Sequence, residues 1–264
     1  MKTLLKSSIR KFLNIFRIFF LKFYKNTLKS LPNNGELTLI DIGAAGDIEP
    51  RWKPFEEFLN YIGFEPDERS RKKIFSQNKS ATRTFNILPY AVWDSSKKIK
   101  FNLTREPETS SVYTPNKNFL DKFPNNKRFD IVKKLIMDVK RIDELGINEV
   151  DFIKIDIQGG ELNSLIGGSN LLEKTFGLEL EIEFLPMYKK QPLFGDVCTW
   201  LAKKEFEFID FSRLVRWERK NHNEVGQCVF GDALFLKPPE VVLKHDITND
   251  KVCAYLSILV ILSQ

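Results

Sequence analysis

The sequence predicts an open α/β fold, a mostly parallel sheet with helices on both faces. The first sign is a pair of matched strand endings: Leu37 to Asp47 reads LTLIDIGAAGD and Val150 to Glu161 reads VDFIKIDIQGGE, each an apolar run that stops at an aspartate and passes at once into glycines. Ligands of open α/β sheets sit outside the carboxyl ends of the strands, where turns are tight, so two such endings point to one site built from both. The second sign is alternation. Strand-like runs at Leu37 to Ile42, Tyr61 to Phe64, Thr84 to Leu88, Phe152 to Ile157 and Leu178 to Phe184 are separated by helical patterns at Pro54 to Asn60, Glu68 to Asn78 and Glu161 to Leu172. Such alternation builds a parallel sheet through right-handed crossovers.

Around this core the chain divides into three parts. Residues 1–34 form a basic amphipathic segment, with Leu5, Ile9, Phe12, Phe16, Phe19, Phe20 and Phe23 recurring at helical spacing among Lys6, Lys11, Arg17 and Lys22. It is too interrupted by charge for the roughly 20 apolar residues of a membrane span. Two roles fit it: lying in a membrane interface, which makes peripheral membrane contact through residues 1–30 an expectation, or packing on protein. The turn Leu31-Pro32-Asn33-Asn34-Gly35 then opens a main domain over residues 35–240. Within it, residues 97–138 do not read as a simple crossover; Lys98 to Leu103 is strand-like, and Glu106 to Asn126 is rich in Pro, Ser, Thr and Asn, giving either a lid or a surface loop. Residues 241–264 are a C-terminal apolar extension whose VCAYLSILVIL run is too short to span a bilayer and packs as a helix or strand.

Composition excludes some classes. The formal net charge is +6, but the first 35 residues carry eight Lys or Arg and no Asp or Glu, so the remainder is near neutral and no nucleic-acid partner is expected. Cys198, Cys228 and Cys253 are odd in number and lack ligand spacing, which argues against a disulfide framework or zinc site; a cytoplasmic location, with the membrane contact placing it at the inner face, is the simplest expectation. His222 and His245 read as surface residues.

Candidate chemistry lies at the strand ends. Asp41 closes the first run, and Gly43 and Gly46 frame a small-residue turn over which a ligand can lie. Glu65 ends the second run some twenty residues later, where a carboxylate takes ribose hydroxyls, so an adenosyl ligand is indicated. The spacing is neither the dinucleotide GxGxxG nor a Walker loop. S-adenosylmethionine carries a sulfonium cation rather than a phosphate, and an aspartate at the turn suits it. At the fourth run, Lys154, Asp156 and Gln158 share one face at period two, and Glu161 opens a helix either as a dipole partner paired with Lys154 or as part of a site. Glu179, Glu181 and Glu183 repeat the pattern: the first two lie at an exposed end, or the face meets cations or water, and Glu183 is the one placed for a site. A divalent metal between Glu183 and Asp156 is conceivable chemically, but no ligand spacing demands one, and none is expected.

DIGAAGD at Asp41, IGFEPD at Ile62, IKIDIQGGELNSLIGG at Ile153, LEIEFLPMYKKQPLF at Leu180 and GDALFLK at Gly231 together resemble the FkbM-type methyltransferases, in order, from about Leu37 to Lys237. The resemblance implies a Rossmann-like class I methyltransferase fold and S-adenosylmethionine as cofactor. It implies that Asp41, Gly43, Ala44, Gly46, Glu65 and Pro66 hold the cofactor, with Ala91 near adenine and Asp156 shared between cofactor and chemistry. Lys154, Asp156, Gln158 and Glu161 would line the methyl-transfer end, with Asp156 as base, Glu161 as the alternative and Lys154 tuning them; Gln158 and Glu183 would meet the substrate. Gln158 stands where the family commonly has glutamate and Gly160 where it has alanine, and an amide cannot act as a base. The expected function is O-methylation of a hydroxyl on a sugar, glycan or related metabolite. The competing readings are a membrane-associated, non-catalytic adenosyl-binding module and a nicotinamide-dependent oxidoreductase.

Overall fold

The computed structural model describes residues 22–26, 28–29, 35–44, 46, 48–77, 81–221, 225–244 and 247–262. Ten strands are formed: β1 (Leu37–Ile42), β2 (Leu59–Phe64), β3 (Thr84–Leu88), β4 (Ala91–Val92), β5 (Lys97–Thr104), β6 (Ile131–Lys140), β7 (Phe152–Ile155), β8 (Gly177–Glu183), β9 (Glu207–Trp217) and β10 (Gln227–Leu236). Seven make one sheet in the order β3-β2-β1-β7-β8-β10-β9. The pairs β1/β2, β2/β3, β1/β7 and β7/β8 are parallel, whereas β10 runs antiparallel to both β8 and β9. Strand order reverses between β1 and β7, the switch point at which open α/β sheets bind ligands.

The central strands are apolar on both sides because both faces are covered. On one face, Leu37 and Leu39 of β1 pack with Phe152, Trp52, Phe55 and Phe58, and with Ala254, Tyr255, Ile258 and Ile261 of the C-terminal helix Asn249–Leu262. On the other, Ile40, Ile42, Ile153 and Ile155 meet Leu165 of helix Glu161–Gly167 and Val197 and Leu201 of helix Phe194–Ala202. The C-terminal run is therefore a docked helix.

Lys251 fastens that helix through ion pairs with Asp151 and, at 3.4 Å, Glu149. Lys251 Nζ lies 2.7 Å from Oδ1 of the buried Asp151, whose other oxygen accepts the Thr38 amide at 2.8 Å. Lys251→Ala strands a buried carboxylate and should cost about 2 kcal/mol, discounted from buried-pair values because the lysine is partly exposed. Urea unfolding measures it; an unchanged midpoint would contradict this docking.

The described end of the basic N-terminal segment also packs on the fold. Leu28 joins the first core cluster, the Tyr24 ring meets Phe55 at 6.2 Å, and Lys25 and Lys29 both pair with Glu57 at 2.7 Å. Residues 1–21, where most of the amphipathic pattern falls, lie outside the described residues, as do most of the expected turn at 31–34, Ala45, Asp47, His222 and His245.

Several elements differ from the sequence reading. The helix expected from Pro54 is a 3-10 turn, Lys53–Phe58, that ends as β2 begins at Leu59. The helix expected to reach Leu172 stops at Gly167, where a Cβ would stand 2.0 Å from the Trp93 carbonyl oxygen, and a 3-10 turn at Leu171–Glu173 follows. β7 ends at Ile155, because Gln158 (φ 60°) and Gly159 (φ 96°) turn the chain in the left-handed region. Gln158 is thus carried by the turn and not by strand alternation. β9 and β10 complete the sheet and were absent from the expected strands.

Residues 97–138 supply β5 and most of β6, which with β4 form a second small sheet, order β4-β6-β5, in which β5 and β6 are antiparallel. Its connecting segment has a core of its own: Phe119, Leu120, Phe123 and Phe129 pack against Met187, Tyr188 and Val229. That core places the segment over the carboxyl ends of β7 and β8.

Candidate active site

Polar residues at the carboxyl ends of the strands stack in three tiers on the sheet face that carries Leu39 and Phe152. In the first, Asp41, Lys154 and Glu179 are in register across β1, β7 and β8. Lys154 Nζ stands 3.6 Å from Asp41 Oδ1 and 3.4 Å from Glu49 Oε1, and Tyr61 donates its hydroxyl to Asp41 Oδ2 at 2.8 Å. Lys154 therefore does not pair with Glu161, the partner one sequence reading gave it. Burial alone would depress the ammonium, but the carboxylates of Asp41, Glu49 and Asp156 hold its pKa above the ordinary lysine value. Burial raises Asp41 despite the opposing pull of Lys154 and Tyr61. Glu179 accepts from Arg51 at 2.7 Å and from Ser212 at 2.6 Å.

The second tier joins Asp156 and Glu181. The Asp156 amide donates to the Ile42 carbonyl at 3.0 Å, so the residue following β7 is fixed to the end of β1. Its carboxyl and that of Glu181 share the Gln158 side-chain amide. Burial first, and then the charges of Asp156, Glu161 and Glu183, push Glu181 well above the usual carboxylate range. Gln158 ties the pair together: its Nε2 donates to Asp156 Oδ1 at 3.4 Å and, closely, to Glu181 Oε2, while Tyr188 donates to its Oε1 at 3.3 Å. Arg213, the nearest cation, is 3.6 Å from Glu181 and engages Asp232 at 2.7 Å.

In the third tier, Glu161 Oε1 accepts the amides of Ile157 at 2.9 Å and Gly159 at 3.2 Å. Burial nevertheless dominates and moves its pKa up to about 7. Glu183 is also raised well above the ordinary value, by burial and then by Glu161 and Asp156, and its Oε1 has no hydrogen bond among the described residues. Glu179, Glu181 and Glu183 are exposed by only 2%, 4% and 2%, so none lies at an exposed end; the strand face meets Arg51 and Arg213 instead. All three belong to the polar stack, not Glu183 alone.

These shifts have a stability consequence with a defined sign. Between the unfolded value of Glu161, 4.5, and its folded value of about 7, the unfolded chain has lost a proton that the folded chain keeps. Unfolding free energy therefore falls as pH rises through that window, and Glu181 and Glu183 act in the same direction. Urea unfolding at intervals from pH 5 to 8 should show the decline, and Glu161→Gln should flatten it. A rise in stability over that range, specific to the wild type, would contradict the assignment.

The other half of the site is bare backbone. Gly43 has φ 89°, and the Gly43 and Ala44 amides both donate to the Phe64 carbonyl at 3.1 Å. A Cβ at Gly46 would meet nothing within 4 Å, so the turn leaves open space above it. Glu65 follows β2, with Oε1 accepting the Asp67 amide at 2.6 Å, and Arg71 holds the Glu65 and Pro66 carbonyls at 2.8 Å and 2.7 Å. Ala91 lies in β4, which follows β3 and pairs with β6 in the small sheet. Sequence reasoning named these positions; it missed Tyr61, Ser111, Tyr113, Tyr188 and Arg213. Ser111 donates to the Gln158 carbonyl at 2.7 Å and Tyr113 to Asn163 at 2.8 Å, roles set by tertiary docking of the 97–138 segment. Gly160 has a local explanation: an alanine Cβ there would lie 2.7 Å from the Trp93 ring. Among the described residues no group of three or more His, Cys, Asp or Glu is arranged to hold a metal ion, and no helix is long and apolar enough to cross a membrane.

A parallel sheet with one antiparallel strand, β10, at the sixth place, and a glycine turn and acidic strand ends at its switch point, define a Rossmann-like methyltransferase fold. The methyltransferase FkbM domain matches residues 48–208, and the chain belongs to that family, whose cofactor is S-adenosylmethionine. The match begins just after the Gly43–Gly46 turn. No curated protein matches the chain. Among solved structures it is similar to an FkbM methyltransferase from Methylobacillus flagellatus (14% identity, TM-score 0.42, covering 75% of this chain and 44% of that one). It is also similar to a magnesium protoporphyrin IX methyltransferase from Synechocystis with bound cofactor (8%, 0.40, 84% and 81%) and a putative RNA methyltransferase from Pyrococcus horikoshii (8%, 0.38, 78% and 77%). The chain thus spans less than half the length of the first of these.

The site's chemistry suits that cofactor. The open turn and Glu65 provide bare backbone and a carboxylate, and the carboxyl groups of Asp156, Glu161, Glu181 and Glu183 at the other end can face a sulfonium cation.

Proposed function

We propose that this chain is an S-adenosylmethionine-dependent O-methyltransferase acting on a hydroxyl of a sugar, glycan or related metabolite. The observation that carries the proposal is the position of Asp156: its amide is bonded to the end of β1, its carbonyl lies against Gly43, and its carboxyl joins Gln158 and Glu181. One residue therefore touches both the cofactor turn and the acidic end of the site.

In this reading Asp41, Gly43, Ala44, Gly46, Glu65, Pro66 and Ala91 hold the cofactor, with Glu65 accepting the ribose hydroxyls. When bound, the cofactor supplies a methyl group already activated on a sulfonium. The chain aligns the acceptor hydroxyl in line and removes its proton at Asp156, contributions characteristic of positioning and general-base catalysis. Gln158 orients the Asp156 carboxylate by its hydrogen bond and links it to Glu181; Glu161 is the second candidate base, and Lys154 sets the field beneath them. Gln158 and Glu183 contact the acceptor. The segment over β7 and β8, anchored by the Ser111–Gln158 and Tyr188–Thr109 bonds, excludes water from this end.

A methyl-release assay across glycans, lipid-linked sugars and small hydroxyl compounds tests the proposal: turnover on a hydroxyl acceptor is expected, and turnover confined to nitrogen acceptors or nucleic acid would overturn it. Glu65→Ala should raise the cofactor Kd roughly 10- to 100-fold, the loss expected for charged hydrogen bonds of about 1.5–3 kcal/mol. An unchanged Kd by calorimetry would remove Glu65 from the ribose role.

A further inference from the structure

One face of the β5–β6 ribbon is covered at its Asn102–Thr104 end by residues 106–113, and the rest of that face is used by neither the core nor the active site. Register across the ribbon sets Lys98 opposite Asp138, Lys100 opposite Ile136 and Lys134 opposite Asn102, and Lys140 follows on the same side of β6. All four lysines are exposed and none has an ion pair among the described residues, Lys98 with Asp138 included. In their midst Ile136 is 64% exposed, and Val132, nearer the ribbon end, is 62% exposed. Water-facing strands place such large aliphatics outward only at a cost, and here the two lie within one basic field.

We propose that this face docks on an anionic lipid bilayer, with the lysines at the headgroups and Ile136 and Val132 reaching the acyl boundary. Charge complementarity selects the occupant. A second copy of the same face would set four lysines and Asp138 against the same set, a net positive charge on each side that repels. A single-stranded nucleic acid would need aromatic rings for its bases, and this face has none; Phe101 points to the opposite side of the ribbon. Aliphatics ringed by lysine match the interfacial pattern of peripheral membrane proteins, where each basic residue near an anionic surface contributes about a factor of five in binding.

The test uses the full chain, so that residues 1–30 contribute equally to every variant. Sedimentation with phosphatidylcholine vesicles, with and without phosphatidylglycerol, should show binding that depends on the anionic lipid and weakens with salt. Lys100→Gln with Lys134→Gln should lower partitioning about thirty-fold, and Ile136→Ser should lower it several-fold without changing the salt dependence. Circular dichroism and cofactor binding by the variants establish that they fold. No binding by the wild type, equal binding to neutral vesicles, or partitioning unchanged in these folded variants would overturn the proposal. So would self-association or RNA binding through the same lysines without vesicle binding.

Discussion

Asp156→Asn should lower kcat by about 10²–10⁴ while leaving the cofactor Kd within about twofold, the signature of a lost general base. The substitution keeps the shape of the side chain and its place beside Gln158 and Glu181, and the backbone bond from the Asp156 amide to Ile42 is untouched. It replaces the carboxylate proposed to take the hydroxyl proton with an amide, which cannot act as a base. Glu161→Gln provides the control: Glu161 titrates near 7, so if it were the base, its variant would show the larger loss and the wild-type rate would rise with pH through that value. Full activity in Asp156→Asn would remove Asp156 from the chemistry. Single-turnover methyl transfer at saturating cofactor separates these outcomes from changes in binding.

Gly43→Ala should be the most damaging single substitution at the cofactor turn. The residue adopts φ 89°, and an added Cβ would stand 2.1 Å from the Asp156 carbonyl oxygen and 3.1 Å from Ile157 Cγ2. Left-handed backbone in a residue with a Cβ costs roughly 1–2 kcal/mol, and overpacking roughly 1–3 kcal/mol. Together they amount to about 2–5 kcal/mol, a fall in Tm of roughly 5–15 °C. Relief requires the ends of β1 and β7 to separate, and that separation moves Asp156 away from the turn. Thermal unfolding and cofactor calorimetry on the same preparation should therefore show both losses. A variant with normal Tm and normal Kd would mean that the close approach is not maintained in solution.

Much of this architecture is written locally. β1, β2, β7 and β8 are largely apolar runs with branched residues, and Asp41, Asp156 and the following glycines mark the ends of β1 and β7 without reference to the rest of the chain. What local pattern left out is tertiary. β9 is an edge strand exposed along most of its length, with charged and apolar positions mixed, so its period is diluted, and its role depends on β10 lying between it and β8. Strand alternation carried to Gln158 overran β7 because the left-handed φ of a glutamine has no side-chain signature. The burial of Glu179 and Glu181 became intelligible only with Arg51 and Ser212, and Arg213 and Gln158, which come from distant segments to meet them. The same holds for Lys154: its sequence neighbours suggested Glu161, but strand register delivers Asp41 and the β1–β2 connection delivers Glu49.

The central claim is that the glycine turn, Glu65 and Asp156 form one adenosyl pocket. Isothermal titration of the full chain with S-adenosylmethionine, and in parallel with NAD, tests it most directly. The account predicts saturable one-to-one binding of S-adenosylmethionine, weakened at least tenfold by Glu65→Ala, with NAD bound far more weakly. Absence of S-adenosylmethionine binding by the folded chain, or tighter binding of NAD, would contradict it.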